Sequence, residues 1–297
     1  MQIALLLMTE DIEDMIKDKY KEGKTVFSIE VFPPKKTNDI EPLYKTLDEF
    51  QTLTPAFISV TYGAGGSTSG LTAEIATYIK KNCNIEALSH LTCASLKSEA
   101  ELLDYINLLK AGEVHNILAL RGDKPKDMSE DEFAKRFYAH ASDLVPAIRN
   151  NGDFSIAGAC YPEKHPMAAT LEEDIANLKI KVDNGVDFLI TQLFYDNDAF
   201  YRFIDKIRDK GIDVPVSAGL MPITAPSQVN NIIALSDCSV PKQLQQIIDK
   251  YIDKPKDLKK AGLEYTKQQM EDLIQHQVDG IHIYSMNKVE IAKALLC

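Results

Sequence analysis

The sequence predicts a single (β/α)8 barrel, the TIM-barrel fold, and three observations lead to this prediction. Eight short segments rich in Val, Ile, Leu and Phe recur about every 30 residues along the 297-residue chain. Most of these segments are apolar through nearly their whole length, which is typical of parallel strands buried on both faces. Amphipathic helical patterns fill the intervals between them, as an alternation of strands and helices requires.

The predicted elements follow one another along the whole chain. The eight strands are Val26–Phe32, Phe57–Tyr62, Ile85–Thr92, Asn116–Arg121, Phe154–Tyr161, Asp187–Tyr195, Val214–Leu220 and Gly280–Ser285. Helical patterns are clearest in Lys97–Ala111, after Thr170 and in Asp198–Lys210, where apolar residues recur at three- to four-residue spacing. We expect residues 1–24 to form an N-terminal helical extension and residues 1–297 to form one domain, because no linker rich in Pro, Gly or Ser divides the chain.

An open, doubly wound parallel sheet is the alternative fold, because it has the same alternation of strands and helices. In that fold the first strand often leads into a GxGxxG turn. Here the first strand is followed by Pro33 and Pro34, which favours the closed barrel.

Charge and cysteine content restrict the function. Lys and Arg number 33 against 44 Asp and Glu, so the net charge is −11. A protein that binds nucleic acid or an anionic membrane needs a basic face, so we expect neither partner. No stretch is apolar over the length of a membrane span, and the 5 cysteines lack the spacing of a zinc site. We therefore expect a cytoplasmic protein with reduced thiols and no bound metal.

Polar residues close most of the predicted strands, and in a barrel of this kind the active site lies at the carboxyl ends of the strands. These residues are Glu30, Thr61, Tyr62, His90, Thr92, Arg121, Gly122, Asp123, Tyr161, Glu163, His165, Thr191, Gln192, Tyr284 and Asn287. Because they come from seven strands and converge on one opening, they predict a site for a cofactor.

Glu30 is the most unusual of these residues, because it is an acid between Ile29 and Val31 in an apolar strand. Desolvation raises the pKa of a carboxyl group, so a covered acid can hold a proton near neutral pH and act as a general acid. The alternative interpretation is a buried carboxylate that is paired with a Lys or Arg.

The other motifs also have ordinary structural interpretations. The Gly63–Ser67 segment could bring backbone amides to a phosphate, or it could be a tight turn. Arg121 and Asp123 could contact a ligand or form a local ion pair. One predicted helix face carries Asp174, Asn177 and Lys181, and a solvated surface has the same spacing.

Two histidines and two cysteines leave a metal or redox site open as an alternative. His90, Cys93, Cys160 and His165 could approach one another across the third and fifth strands. Buried thiols usually only pack, however, and a rim histidine or a proline-bounded turn accounts equally well for the two imidazoles.

Seven motifs together identify a resemblance. They are Phe27–Pro34, Ser59–Thr68, His90–Cys93, Leu120–Asp123, Tyr161–Pro166, Ile190–Asp196 and Gly219–Ile223. In this order they resemble the 5,10-methylenetetrahydrofolate reductase family, in its bacterial type that consists of the catalytic domain only. The resemblance extends from about residue 25 to residue 290, which is nearly the whole chain.

The resemblance implies a flavoprotein barrel that binds FAD without a covalent bond. NADH or NADPH would give a hydride to the flavin and leave, and methylenetetrahydrofolate would then accept the hydride and become 5-methyltetrahydrofolate. Glu30 matches the family's general acid, which protonates the leaving nitrogen when the methylene bridge opens. Asp123 matches an aspartate beside the flavin and the pterin, where its charge would tune the flavin and favour cationic folate intermediates.

The resemblance also assigns residues to the two binding sites. Positions matching the family's flavin site are Thr61, Tyr62, Ala64, His90, Arg121, Gly122, Asp123, His140, Ala141, Tyr161, His165, Ala168, Asp174, Asn177 and Lys181. Positions matching its substrate site are Glu30, Asp123, Gln192, Gln228, Tyr284 and Lys288. Gln192 matches a position that the folate and the nicotinamide nucleotide share.

Several positions depart from the family pattern. Ile180 stands where some members have an Arg near the flavin phosphates, and His140 stands where a Tyr can occur. Lys288 replaces an Arg, which keeps the charge but loses the planar, two-pronged grip on a carboxylate. Ser69 and Gly70 stand where other members of the family often have a charged residue after the Ser-Thr of the motif.

Two other functions remain open at this stage. One is a barrel that binds flavin or folate without turnover and serves as a subunit with a redox partner protein. The other is a different flavin barrel, of the proline dehydrogenase type, which shares the fold but not the ordered motifs. Because relatives form homo-oligomers, we also expect a homo-oligomer.

Overall fold

The eight predicted strands close into a barrel. The computed structural model describes residues 15–34, 40–62, 69–125, 128–229 and 238–297. The strands are β1 (Val26–Val31), β2 (Phe57–Val60), β3 (Glu86–Thr92), β4 (Asn116–Leu120), β5 (Ser155–Cys160), β6 (Phe188–Thr191), β7 (Val216–Leu220) and β8 (Gly280–Tyr284). Each strand pairs in parallel with the next, and β8 pairs with β1. This closure confirms the (β/α)8 barrel and excludes the open sheet.

Helices surround the barrel. In the described residues they are α1 (Ile16–Lys19), α2 (Glu41–Gln51), α3 (Ser69–Lys81), α4 (Glu99–Ala111), α5 (Glu130–Ala134), α6 (Ala141–Arg149), α7 (Leu171–Asp183), α8 (Asn197–Asp209), α9 (Lys242–Tyr251), α10 (Pro255–Gln275) and α11 (Val289–Leu296). Side chains fix several of their starts, since Ser98 caps α4 and Thr170 caps α7. Among the described helices none is long and apolar enough to cross a bilayer.

Alternate residues of each strand face the interior of the barrel and the surrounding helices. On β1, Val26 belongs to the interior apolar cluster with Phe57 and Phe188, whereas Ile29 and Val31 pack with the helices. A polar layer follows above the interior cluster, toward the carboxyl ends of the strands. Its buried members include Ser28, Ser59 and His282.

Helix α1 covers the amino-terminal end of the barrel. Ile16 is fully buried, and its N–H donates to Asn116 Oδ1 at 3.0 Å. The Tyr20 hydroxyl lies 2.7 Å from Ser217 Oγ, and its ring lies 5.1 Å from the ring of Phe188. These contacts join the segment before β1 to β4, β6 and β7 and close this end of the barrel.

The strand ends differ from the prediction where the apolar run continues past the strand. The predicted strand Asp187–Tyr195 is a strand only over Phe188–Thr191. Leu193 and Tyr195 instead join a separate apolar cluster with Ile223. The apolar run is therefore longer than β6, because its last residues pack against the segments that follow β7.

Candidate active site

Glu30 lies inside the barrel near the carboxyl ends of the strands. In register it neighbours Ser59 on β2 and Tyr284 on β8. Its side chain is 20% exposed, and Oε2 lies 3.7 Å from His90 Nε2 and 3.8 Å from His282 Nε2. No Lys or Arg in the described part of the chain forms an ion pair with it. Glu30 is therefore a partly buried carboxyl group whose basic neighbours in the described residues are two histidines.

The two histidines beside Glu30 have different surroundings. His282 Nδ1 lies 2.7 Å from Ser28 Oγ, and its Nε2 lies 3.3 Å from Ser59 Oγ. His90 Nε2 is buried and has no hydrogen-bond partner within the described ranges. Burial lowers the pKa of His90 to about 4, although the nearby Glu30 opposes this effect. The His90 imidazole is therefore neutral near pH 7.

Tyr284 reaches across the opening of the barrel from β8. Its hydroxyl donates a hydrogen bond to the Thr191 carbonyl at 2.8 Å, and burial raises its pKa. Gly219 makes this path possible, because a Cβ there would lie 2.4 Å from the Thr191 carbonyl oxygen and 2.8 Å from the Tyr284 ring. Gln192 lies nearby, and its side-chain oxygen accepts a hydrogen bond from the Leu193 N–H at 2.9 Å.

A cavity of about 590 Å³ opens beside the ends of β4 and β5 and reaches helices α6 and α7. Many residues predicted to hold the cofactor share its wall. They are Arg121, Gly122, Asp123, His140, Ala141, Tyr161, His165, Ala168, Asp174, Asn177 and Lys181. The face of α7 that the sequence left open between ligand binding and solvation therefore borders a cavity.

The cavity wall carries two cationic side chains, Arg121 and Lys181, together with the acidic side chains of Asp123, Glu173 and Asp174. The Lys181 ammonium donates a hydrogen bond to the Ala159 carbonyl, and burial lowers its pKa. The His165 backbone N–H donates to Asp174 Oδ2 at 2.9 Å, which fixes the loop after β5 to α7. Arg121 lies at the rim with one guanidinium nitrogen 4.0 Å from the carboxylate of Asp123, whose side chain is fully exposed.

Gly122 shapes the loop between Arg121 and Asp123. Its φ is +75°, a conformation that L side chains rarely adopt, and a Cβ there would lie 2.8 Å from the Thr92 Cβ. A residue with a side chain would therefore push the loop away from the end of β3.

The remaining predicted residues lie elsewhere. Thr61 and Tyr62 follow β2, outside the cavity, and Tyr62 lines a second cavity of about 720 Å³. Ala64 falls outside the described residues. Gln228 Oε1 accepts hydrogen bonds from the N–H and hydroxyl of Thr224, at 2.7 and 2.9 Å. Lys288 is exposed at the start of α11.

Sequence reasoning did not single out His282 or its serine partners. The signal was present in the alternation of β8, where His282 interrupts the apolar residues Ile281 and Ile283 at an inward-facing position. Cys93 and Cys160 are buried free thiols. Within the described residues no three metal-ligating side chains lie close enough to hold an ion.

Comparison with known proteins gives consistent matches. The Methylenetetrahydrofolate reductase family model matches residues 15–297. Methylenetetrahydrofolate reductase (NADH) 1 of Arabidopsis thaliana is 33% identical over 297 residues, which cover 96% of this chain and 50% of that protein. The 5,10-methylenetetrahydrofolate reductase of Escherichia coli K12 is 32% identical over 274 residues, which cover 92% of this chain and 90% of that protein.

The chain thus spans about half the length of the plant and yeast relatives that it matches. A solved structure described as an uncharacterized protein from Clostridium thermocellum that binds two copies of 5-methyl-5,6,7,8-tetrahydrofolic acid superposes with a TM-score of 0.61 at 16% identity. The superposition covers 95% of this chain and 96% of that one, and it supports the fold. The match over residues 15–297 and the E. coli relative together show that this chain belongs to the methylenetetrahydrofolate reductase family.

Proposed function

We propose that this protein reduces 5,10-methylenetetrahydrofolate to 5-methyltetrahydrofolate with NADH or NADPH, through bound FAD, and that Glu30 is the general acid. The observation that carries the proposal is the covered carboxyl of Glu30, which lies in the barrel opening between His90 and His282. Membership of the family supports the reaction, and the names of the plant relatives support NADH as the nucleotide.

The cavity beside β4 and β5 fits FAD in size and in chemistry. Its volume of about 590 Å³ lies within the range of cofactor sites, ~300–1,000 Å³. Arg121 and Lys181 would supply positive charge for a diphosphate, and Gly122, which has no side chain, would let the loop backbone approach closely. Exposed Ile180 and Met167 at its rim offer apolar surface for a flat ring. FAD would supply hydride transfer in two separate half-reactions.

Glu30 would act in the second half-reaction. With a proton on its carboxyl group it would donate to the nitrogen that leaves when the methylene bridge of the folate opens, and the carbon would then accept the hydride. Such proton transfer is typically worth ~10²–10⁴-fold in rate. Burial lowers the pKa of His90, so the nearer of the two imidazoles would not be a cationic partner for the Glu30 carboxyl group.

Other side chains at the opening would hold the substrate. Tyr284 on β8 is the strand partner of Glu30, and its hydroxyl reaches the Thr191 carbonyl at the end of β6, where Gln192 follows. Gln228 and Lys288 would contact the folate further from the reacting carbon, where a Lys pairs with the carboxylates of a glutamate tail. Asp123, exposed at the rim, would place a negative charge beside cationic intermediates of the folate.

The substitution Glu30→Gln tests this proposal, because it keeps the shape of the side chain and removes the proton. We expect the rate of flavin reduction by NADH to stay within about twofold and the rate of folate reduction to fall by ~10²-fold or more. Stopped-flow absorbance at the flavin band measures the two half-reactions separately.

Glu86→Gln is the control, because Glu86 begins β3 at the opposite end of the barrel. It should leave both half-reactions unchanged. An equal loss of both half-reactions in Glu30→Gln would show that Glu30 is structural, and a protein that binds no flavin would refute the cofactor assignment.

A further inference from the structure

The turn that follows β8 has an unusual backbone. Met286 and Asn287 have φ values of +58° and +55°, so two consecutive residues without glycine occupy the left-handed region. The Lys288 N–H donates to the Ser285 carbonyl at 3.1 Å and closes this turn. Asn tolerates the left-handed conformation, but Met does not favour it. Such strain persists only where the surroundings hold the turn in place, and it concentrates at functional sites.

The side chain of Asn287 provides this hold. Its Oδ1 accepts a hydrogen bond from the Phe32 backbone N–H at 3.0 Å, and its Nδ2 donates to the Phe32 carbonyl at 2.9 Å. One carboxamide therefore satisfies both backbone groups of a residue 255 positions away in the sequence. This pair of hydrogen bonds, here called the Asn287 clamp, joins the segments that follow the first and last strands of the barrel.

The Asn287 clamp fixes two apolar side chains at the same level of the barrel opening. Glu30 and Tyr284 are partners in the β1–β8 register, and Phe32 and Met286 lie two residues beyond them. Phe32 is 38% exposed and Met286 is 39% exposed, although both are large and apolar. Phe32 also precedes Pro33, which restricts its backbone to extended conformations. Phe32 and Met286 thus stand on restrained backbone, two residues beyond Glu30 and its strand partner Tyr284.

We propose that Asn287 is a positioning residue for the substrate: through the clamp it holds Phe32 and Met286 as an apolar edge against which the flat rings of the folate pack. The inference rests on the proposed function. An apolar edge that is rigid before binding loses less conformational freedom when the ligand arrives, so it raises affinity. Without the clamp, Met286 would leave the left-handed region and the edge would separate.

Two substitutions at Asn287 test the inference. Asn287→Gly removes the carboxamide and tolerates the positive φ, so it isolates the clamp from the backbone preference. We expect the KM for 5,10-methylenetetrahydrofolate to rise about tenfold, as for the loss of one or two hydrogen bonds. Asn287→Asp keeps the acceptor for the Phe32 N–H and loses the donor, so its KM should lie between those of the wild type and Asn287→Gly.

The matched control is Thr25→Val. The Thr25 hydroxyl donates to the Val278 carbonyl at 3.1 Å and joins the same two parts of the chain at the opposite end of the barrel. This variant should leave the KM unchanged. In all three variants the Kd for FAD, measured by flavin fluorescence, and the rate of flavin reduction at saturating NADH should stay within about twofold of the wild type.

The outcomes separate the two proposals. If the wild type does not reduce the folate, the proposed function fails and this inference fails with it. If the wild type reduces the folate but Asn287→Gly keeps its KM, only this inference is overturned. A lower melting temperature with an unchanged KM in Asn287→Gly would likewise show that the clamp only stabilises the fold.

Discussion

We expect the hydrogen bond between Ser28 and His282 to contribute more to the free energy of unfolding than an exposed hydrogen bond does, because it lies in the interior of the barrel. Ser28 is fully buried, the His282 side chain is 1% exposed, and the bond measures 2.7 Å. A buried polar group that loses its partner pays its full desolvation cost, whereas removing both partners avoids part of that cost.

The structure sets the size of each effect. Ser28→Ala leaves one imidazole nitrogen without a partner, which should lower the free energy of unfolding by about 1–3 kcal/mol. His282→Leu removes the partner of Ser59 and leaves Ser28 with a 3.4 Å contact to the Ile281 carbonyl, so about 2–5 kcal/mol is expected for two groups. The double variant should cost at least about 1 kcal/mol less than the sum.

Urea unfolding of the four proteins, followed by circular dichroism, measures this coupling. A loss of about 3 kcal/mol should also lower Tm by about 5 °C in a chain of 297 residues. Costs that add without coupling, or a Ser28→Ala variant as stable as the wild type, would refute the reasoning that the two side chains satisfy each other.

Two further predictions concern stability. Burial lowers the pKa of His90 to about 4 in the folded protein, against 6.5 ordinarily. The neutral His90 therefore contributes fully to the free energy of unfolding above pH 6.5, and this contribution is lost as the pH falls toward 4. Urea unfolding at pH 7 and pH 4.5 should show a smaller acid loss in His90→Asn, by up to about 3 kcal/mol, and equal losses would contradict the assignment. In Gly262→Ala the new Cβ would lie 1.8 Å from the Ile223 carbonyl oxygen, so α10 must shift. The resulting overpacking should cost about 1–3 kcal/mol, and an unchanged Tm would contradict it.

The strands could be predicted from sequence because strands buried on both faces are continuous apolar runs. In β4, for example, Ile117–Leu120 is such a run, and Asn116 before it is polar. The rule fails where apolar residues continue for another reason. Leu193 and Tyr195 are as apolar as a strand, but they pack into a different cluster after β6 ends, and only the folded chain shows which neighbours cover them.

The site could be predicted in part, for a similar reason. Glu30 is visible in the sequence because an acid inside an apolar strand is unusual, and two of the ordered motifs, Leu120–Asp123 and Tyr161–Pro166, supply residues that line one cavity. The position of His282 in the site could not be predicted, since a single histidine in an apolar run does not show which hydroxyl groups it contacts. Asn287 was noted only as a polar residue, because its pairing with Phe32 depends on two left-handed residues that no local pattern reveals.

The segment that contains Ile16 and Tyr20 closes the amino-terminal end of the barrel, and this closure determines from which side a ligand can reach Glu30. Beneath Glu30 the interior is filled by apolar side chains such as Phe57 and Phe188, and the segment before β1 seals the floor below them. In the part of the chain that the structure describes, Glu30 is therefore accessible from the carboxyl ends of the strands. Under the proposed function, a folate that reacts with Glu30 would approach it and leave from this same side of the barrel.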